Sequence, residues 1–163
     1  MAREPAAHET VRESVLDRLL DDEPEIRQHD PPPRARAAMT RLFQSVRRDL
    51  EWLLSTRLTW VDEGLEACEH ASRSVAAFGL ADFSHEAPSH VDTRQRLKRA
   101  IEEAIGRFEP RLTRVTVTPE PPSQHDRALR FRIEAILRVD PVREHVTFDT
   151  LVEPEGTARV VEA

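Results

Sequence analysis

Three adjacent residues, Glu109-Pro110-Arg111, carry the sharpest chemistry in the sequence. Glu109 closes a helical pattern, where the negative end of the helix dipole disfavours a carboxylate by about 0.3–1 kcal/mol. Pro110 biases the residue before it toward extended backbone, and in extended chain residues i and i+2 point to the same side. Glu109 and Arg111 are therefore expected to project together from a junction whose angle the proline limits. Two uses fit that arrangement. One is a helix stop with an incidental exposed ion pair, worth about 0–1 kcal/mol. The other is a preformed polar latch that accepts complementary charge from a partner.

Other residue groupings offer less. There are seven histidines, and His85 and His90 lie five apart, but Cys68 is the only cysteine. A zinc site needs three or four converging ligands at defined spacing, so no metal is expected. No G-x-S-x-G elbow is present, and Cys68 has no obvious base beside it. Four glycines are too few to suggest a phosphate cradle. Glycoside hydrolysis needs two carboxylates about 5 Å or about 6.5–9.5 Å apart. Thirty acidic residues supply many such pairs, so their presence selects nothing, and aromatic platforms for a sugar are scarce at 5% with no tyrosine. No catalytic residue and no cofactor is assigned.

The elements that must position the junction are legible from periodicity. Thr10 to Glu13 forms a capping-box pattern ahead of Val11, Val15, Leu16, Leu19 and Leu20 at helical spacing. Residues 25–36 form a linker stiffened by Pro31-Pro32-Pro33. A helix from near Thr40 has a stripe of Leu42, Phe43, Val46, Leu50, Leu53 and Leu54, and Trp52 lies off that stripe. A short helix is expected from Glu69 to Phe78, stopped by Gly79. A longer one is expected from Thr93 to Phe108, with a stripe at Leu97, Ala100, Ile101, Ala104, Ile105 and Phe108. After Pro110 the period changes to two. Thr113, Val115 and Val117 alternate with polar neighbours, then Leu129 to Val139, then Val146 to Val152. Pro119 to Asp126 reads as a long loop, and Asp140 to Glu144 as a turn. The fold class is α+β, with N-terminal helices packed on a small, mainly antiparallel C-terminal β-sheet. The expected division is 1–36, a helix and proline-rich linker, and 37–163, one domain.

Net charge is −6, which argues against nucleic acid as the main partner. The 24 basic residues include one lysine, Lys98. A GC-rich genome accounts for that bias, so any interface role rests on particular arginines. No apolar run reaches the roughly 20 residues of a membrane span, and Met1 to His8 lack a signal-peptide core. A single cysteine fits a reducing compartment. Together these point to the cytoplasm.

Ser45 to Arg57 (SVRRDLEWLLSTR) closely resembles the helix signature of the TssE family of type VI secretion baseplate proteins. Ser74-Val75 with Phe78 to Ser84 resembles the family's next block, and Ile101 to Ile105 running into Phe108 to Leu112 its third. Ser14 to Leu19 fits the family's start. Ser55 stands where asparagine is common and Ala81 where proline is common. The resemblance implies a structural, non-enzymatic subunit that joins TssF and TssG in a wedge associated with TssK. It also implies a template for the TssB–TssC sheath, in a baseplate docked at the inner membrane complex. It places Glu109, Pro110 and Arg111 in wedge contacts. Trp52 reads either as side packing against a loop or as a partner contact, since tryptophan is enriched at interface hot spots, and Arg48 stands beside it as a further candidate for partner contact. The last strand read from the sequence, around Val146 to Val152, is the edge expected to pair with a sheath strand. The isolated chain is expected to be monomeric. The older label of this family is lysozyme-like, so the rival expectation is a peptidoglycan-cleaving hydrolase.

Overall fold

The computed structural model describes residues 14–19, 25, 35–58, 68–83, 91–121, 128–139, 142–153 and 155–162. The helices are α1 (Val15–Leu19), α2 (Ala35–Ser55), α3 (Glu69–Ser72) and α4 (Val91–Phe108), with a 3-10 turn at Val75–Ala77. The strands are β1 (Leu112–Pro119), β2 (Leu129–Val139), β3 (Val142–Val152) and β4 (Ala158–Glu162). They form one antiparallel sheet in the order β1-β2-β3-β4. The α+β expectation holds, with helices preceding a meander.

The core follows from the two amphipathic helices. On α2, Leu42, Val46, Leu50, Leu53 and Leu54 are buried. On α4, Leu97, Ile101, Ala104 and Ile105 are buried. Both stripes face Val117, Phe131, Ile133, Ala135, Leu137, Val146, Phe148 and Val160 on one side of the sheet. Helix α2 lies against β4 and α4 against β1. The strict alternation of β2, with 131, 133, 135 and 137 buried, is the one expected from sequence.

Several boundaries differ from expectation. Helix α2 begins at Ala35, not Thr40, and Ala38 adds a buried turn to its stripe. Alanine is the best helix former, so Ala35, Ala37 and Ala38 carry the helix upstream of its first large apolar residue. A division at 36/37 therefore falls within the first turn of α2. The expected Glu69–Phe78 helix breaks after Ser72, because Ser74 Oγ accepts from the Ala76 amide and starts the 3-10 turn. Gly79 does take a positive φ of 118°. Its use is close approach rather than helix capping, since an added Cβ would lie 2.4 Å from the Thr56 carbonyl oxygen.

Strand β1 carries a bulge between Thr113 and Thr116, with Arg114 at φ 53°. The extra residue reverses the phase, so Leu112 and Val117, an odd number apart, are both buried. Of the alternating Thr113, Val115 and Val117, Thr113 is therefore turned to the outer face beside Ile136, while Val115 packs partly buried against the core with Val117. Strand β3 starts at Val142, which pairs with Val139, so the turn is shorter than Asp140 to Glu144. The fourth strand was not expected. Its presence makes β3 an interior strand and β4 the edge. The Thr10–Glu13 capping box, Pro31 to Pro33, His85, His90 and most of the Pro119–Asp126 loop lie outside the described residues.

Candidate functional site: an ionic junction and a sheet edge

The chain leaves α4 through Glu109, whose amide still donates to the Ile105 carbonyl at 2.8 Å, while its own carbonyl accepts from the Leu112 amide at 3.1 Å. Pro110 is thus the second residue of a β-turn, a place its fixed φ favours. Glu109 is 4% exposed. Arg111 forks onto it side-on, with Nε donating to Oε1 at 2.7 Å and Nη2 to Oε2 at 2.5 Å. The Arg111 amide adds a third bond to Oε1 at 3.1 Å. The two residues do converge, as i and i+2 should, but toward each other and inward. Pro110 is left exposed.

Arg111 then reaches α2. Its Nη1 donates to Ser45 Oγ at 2.9 Å and its Nη2 to Asp49 Oδ2 at 2.5 Å. Ser45 and Asp49 are one turn apart, so both face the junction. Asp49 Oδ1 also accepts from Arg48, at 3.0 and 2.8 Å. Arg48 Nη2 donates onward to Asp17 Oδ1 at 2.7 Å, and Ser45 Oγ donates to Asp17 Oδ2 at 2.7 Å. The result is a closed ring through α1, α2 and the α4–β1 junction, built from three carboxylates and two guanidinium groups.

Burial opposes the Arg111 charge, but Glu109 and Asp49 outweigh it and raise the guanidinium pKa. Burial likewise works against Arg48, and Asp49 and Asp17 reverse it. Asp17 is pushed up by burial, yet hydrogen bonds from Ser14, Ser45 and Arg48 hold it down at about 2. Beyond the ring, the Arg48 guanidinium lies 5.2 Å from the Trp52 ring centre, and Trp52 is 52% exposed.

The other end of α2 meets the sheet. Ser55 Oγ donates to the Ala158 carbonyl at 3.1 Å and accepts from the Ala158 amide at 3.0 Å. These are the outward-facing groups of the edge strand. Antiparallel geometry turns Val160 and Glu162 the same way, and among the described residues nothing pairs with that edge beyond Ala158. The opposite edge is better guarded, by the β1 bulge and by Glu102 of α4, which accepts from the Val117 amide at 2.9 Å. Arg57, just past α2, pairs with Asp82 and with the Glu155 carbonyl. Leu58 and Leu80 add backbone bonds of 2.8 Å (Leu58 amide to Leu80 carbonyl) and 2.9 Å (Leu80 amide to Thr56 carbonyl).

Of the residues that sequence reasoning named as partner contacts, Glu109, Arg111 and Arg48 belong to the ring, while Pro110 and Trp52 stand exposed beside it; Ser45, Asp49 and Asp17, which complete the ring, were not named. The signal for two of them was the i, i+4 spacing of Ser45 and Asp49 on one face of α2. The three sequence blocks meet in space: Ser45 and Asp49 of the first hold Arg111 of the third, and Arg57 of the first holds Asp82 of the second. Among the described residues no group of three potential ligands could hold a metal ion. No described helix is long and apolar enough to cross a membrane.

No curated protein matches the chain. A chain in a solved structure of the baseplate complex from the type VI secretion system is similar at 18% identity and a TM-score of 0.47, covering 70% of this chain and 96% of that one. The family model of baseplate wedge protein gp25 matches residues 40–142, which run from α2 through the ionic junction to the start of β3. The chain belongs to the gp25 baseplate wedge family and is a structural component of a baseplate.

Proposed function

We propose that this baseplate subunit serves a type VI secretion system in the role of TssE, joining a TssF–TssG wedge with TssK nearby and starting the TssB–TssC sheath. The observation that carries this reading is that the blocks resembling TssE meet in space: the first and third close on the ionic junction, and the second joins the first through Asp82 and Arg57. The role is structural and not catalytic: both Glu109 oxygens are spent on Arg111, which suits a strut better than a hydrolytic acid. The assembly stands in the cytoplasm, docked at an inner membrane complex, and the isolated chain is a monomer.

Docking at the junction uses what remains outside. Pro110 is exposed, and the side chains of Arg111 and Asp49 are 21% and 25% exposed. Arg48 and Trp52 extend that surface along α2. Glu109 acts from beneath by fixing Arg111. Sheath initiation uses β4 instead of the strand expected from sequence, because β3 is covered on both sides. A strand added along Val160 and Glu162 gains backbone hydrogen bonds and inherits the sheet's twist as geometry for the next ring.

Co-expression with TssF and TssG tests the first half. Trp52→Ala and Pro110→Ala should leave the thermal midpoint near wild type and reduce wedge recovery at least several-fold. Full recovery with both variants would remove this face from the interface. For the second half, cysteine cross-linking from Val161 should capture a sheath strand, and capture from β1 alone would reverse the assignment. Release of muropeptides by purified protein, lost on Glu109→Gln, would favour a hydrolase instead.

A further inference from the structure

Helix α1 is five residues long, far below the length at which an isolated helix is stable in water. Apolar burial holds it only weakly: Val15 is 73% exposed, Leu19 76% and Leu16 42%. Among the described residues its attachment to the rest of the chain is one carboxylate. Asp17 accepts from Ser45 Oγ through Oδ2 and from Arg48 Nη2 through Oδ1, both at 2.7 Å. That side chain is 13% exposed, and its receptor is already shaped. Arg48 is fixed by Asp49, and Ser45 Oγ accepts from Arg111, which leaves its own hydrogen to donate.

Asp17 is also presented for this contact. Its Oδ2 accepts from the Ser14 amide at 3.1 Å and the Ser14 hydroxyl at 2.6 Å, while Ser14 Oγ accepts from the Asp17 amide at 3.1 Å. This reciprocal capping fixes the carboxylate at the first turn of α1. The same carboxylate therefore closes the helix start and plugs the receptor.

We propose that Ser45 and Arg48 form a carboxylate-binding site on α2, with Arg111 of the α4–β1 junction orienting the Ser45 hydroxyl, and that α1 is its detachable built-in occupant, seated by Asp17. The ligand class is an aspartate or glutamate at the start of a short helix. Removing α1 uncovers Ser45 and Arg48 beside Trp52, so an acidic segment supplied in trans competes for the same atoms. The site stands whether or not this face meets a secretion wedge.

The test uses the full chain and a capped synthetic peptide of residues 10–20. Arginine Nε resonances and backbone amide exchange are read by NMR on wild type, Asp17→Ala and Asp17→Asn. In both variants, exchange at residues 15–19 should accelerate at least tenfold and the Arg48 Nε resonance should shift, while exchange in β2 stays as in wild type. The wild-type peptide should return the Arg48 resonance toward its original position in Asp17→Ala, with at least tenfold tighter binding than to the wild-type chain, whose own α1 competes. A peptide carrying the Asp17→Ala change should do neither. The proposal is overturned if the two peptides act alike, if the peptide binds wild type and variant equally, or if residues 15–19 of wild type already exchange at the free-chain rate. Failure on these counts leaves the wedge reading untouched, because that reading is judged by recovery of TssF and TssG.

Discussion

Replacing Arg111 by alanine removes the centre of the ring, and the cost can be worked through residue by residue. Glu109, with its side chain 5% exposed, loses both side-chain donors and keeps only the residue-111 amide. Asp49, 25% exposed, keeps Arg48 and partial solvent. Ser45 keeps Asp17. One stranded buried carboxylate therefore dominates. Breaking a buried pair costs about 3–5 kcal/mol, and the surviving amide bond argues for the lower end, about 3 kcal/mol. For a domain of this size that lowers the thermal midpoint by about 6–12 °C. Glu109→Ala in the same chain removes the stranded charge, so the double variant should recover about 1–2 kcal/mol relative to Arg111→Ala alone. Arg111→Lys keeps the charge but loses the fork, and should lie between wild type and alanine. Urea unfolding of the four proteins measures these differences. An Arg111→Ala chain within about 0.5 kcal/mol of wild type, or a double variant no better than the single, would refute the claim that this junction is an internal strut. The consequence for function is practical: loss of assembly in Arg111→Ala reports stability as well as docking, which is why exposed Trp52 and Pro110 are the cleaner probes.

Asp17 sets a pH dependence. Its carboxyl is held at about 2 in the folded chain, below the 3.8 of a free aspartate, so its contribution is complete above about pH 4 and is lost as pH falls through 2. Amide exchange at residues 15–19 measured down that range should rise before the sheet opens. Ser55→Ala removes both bonds to Ala158 and should cost about 1 kcal/mol, with faster exchange in β4 and little change in β2. Gly79→Ala forces a side chain into a positive-φ site worth about 1–3 kcal/mol of strain and against the Thr56 carbonyl; chemical denaturation should show at least that loss. Gly156→Ala, at φ 88°, carries positive-φ strain as well, but its Cβ meets the Arg57 side chain instead of backbone, so it should cost less than Gly79→Ala.

Much of the fold was legible because its core elements have clean periods. The α2 and α4 stripes and the alternation of β2 needed no tertiary information. What escaped did so for local reasons. The β1 bulge shifts the phase through Arg114, a residue type with no special preference for positive φ, so nothing in its identity announces the turn. Strand β4 is five residues long and begins two residues after Gly156, too short for alternation to register. The site was half visible. A proline fixes the geometry around Glu109 and Arg111 in any context. Whether the pair faces out or in depends on Ser45 and Asp49, more than sixty residues away in sequence, and only packing of α2 against α4 brings them near.

That packing gives α2 a role that neither end reveals alone. Ser45 and Asp49 hold the junction, and ten residues after Ser45, Ser55 holds the edge strand. At 1.5 Å per residue the two contacts are about 15 Å apart along one helix. Between them Val46, Leu50, Leu53 and Leu54 are at most 2% exposed, so this stretch of helix is clamped to the sheet over its whole length. Close-packed interiors transmit displacement with little give. Under the proposed function, a partner seated on the junction would therefore fix the orientation of β4 without touching it, and a strand added to β4 would be referred back to the same frame. The ionic ring matters here less for its net energy, which buried pairs often fail to supply, than for allowing one angle between α2 and the α4–β1 turn.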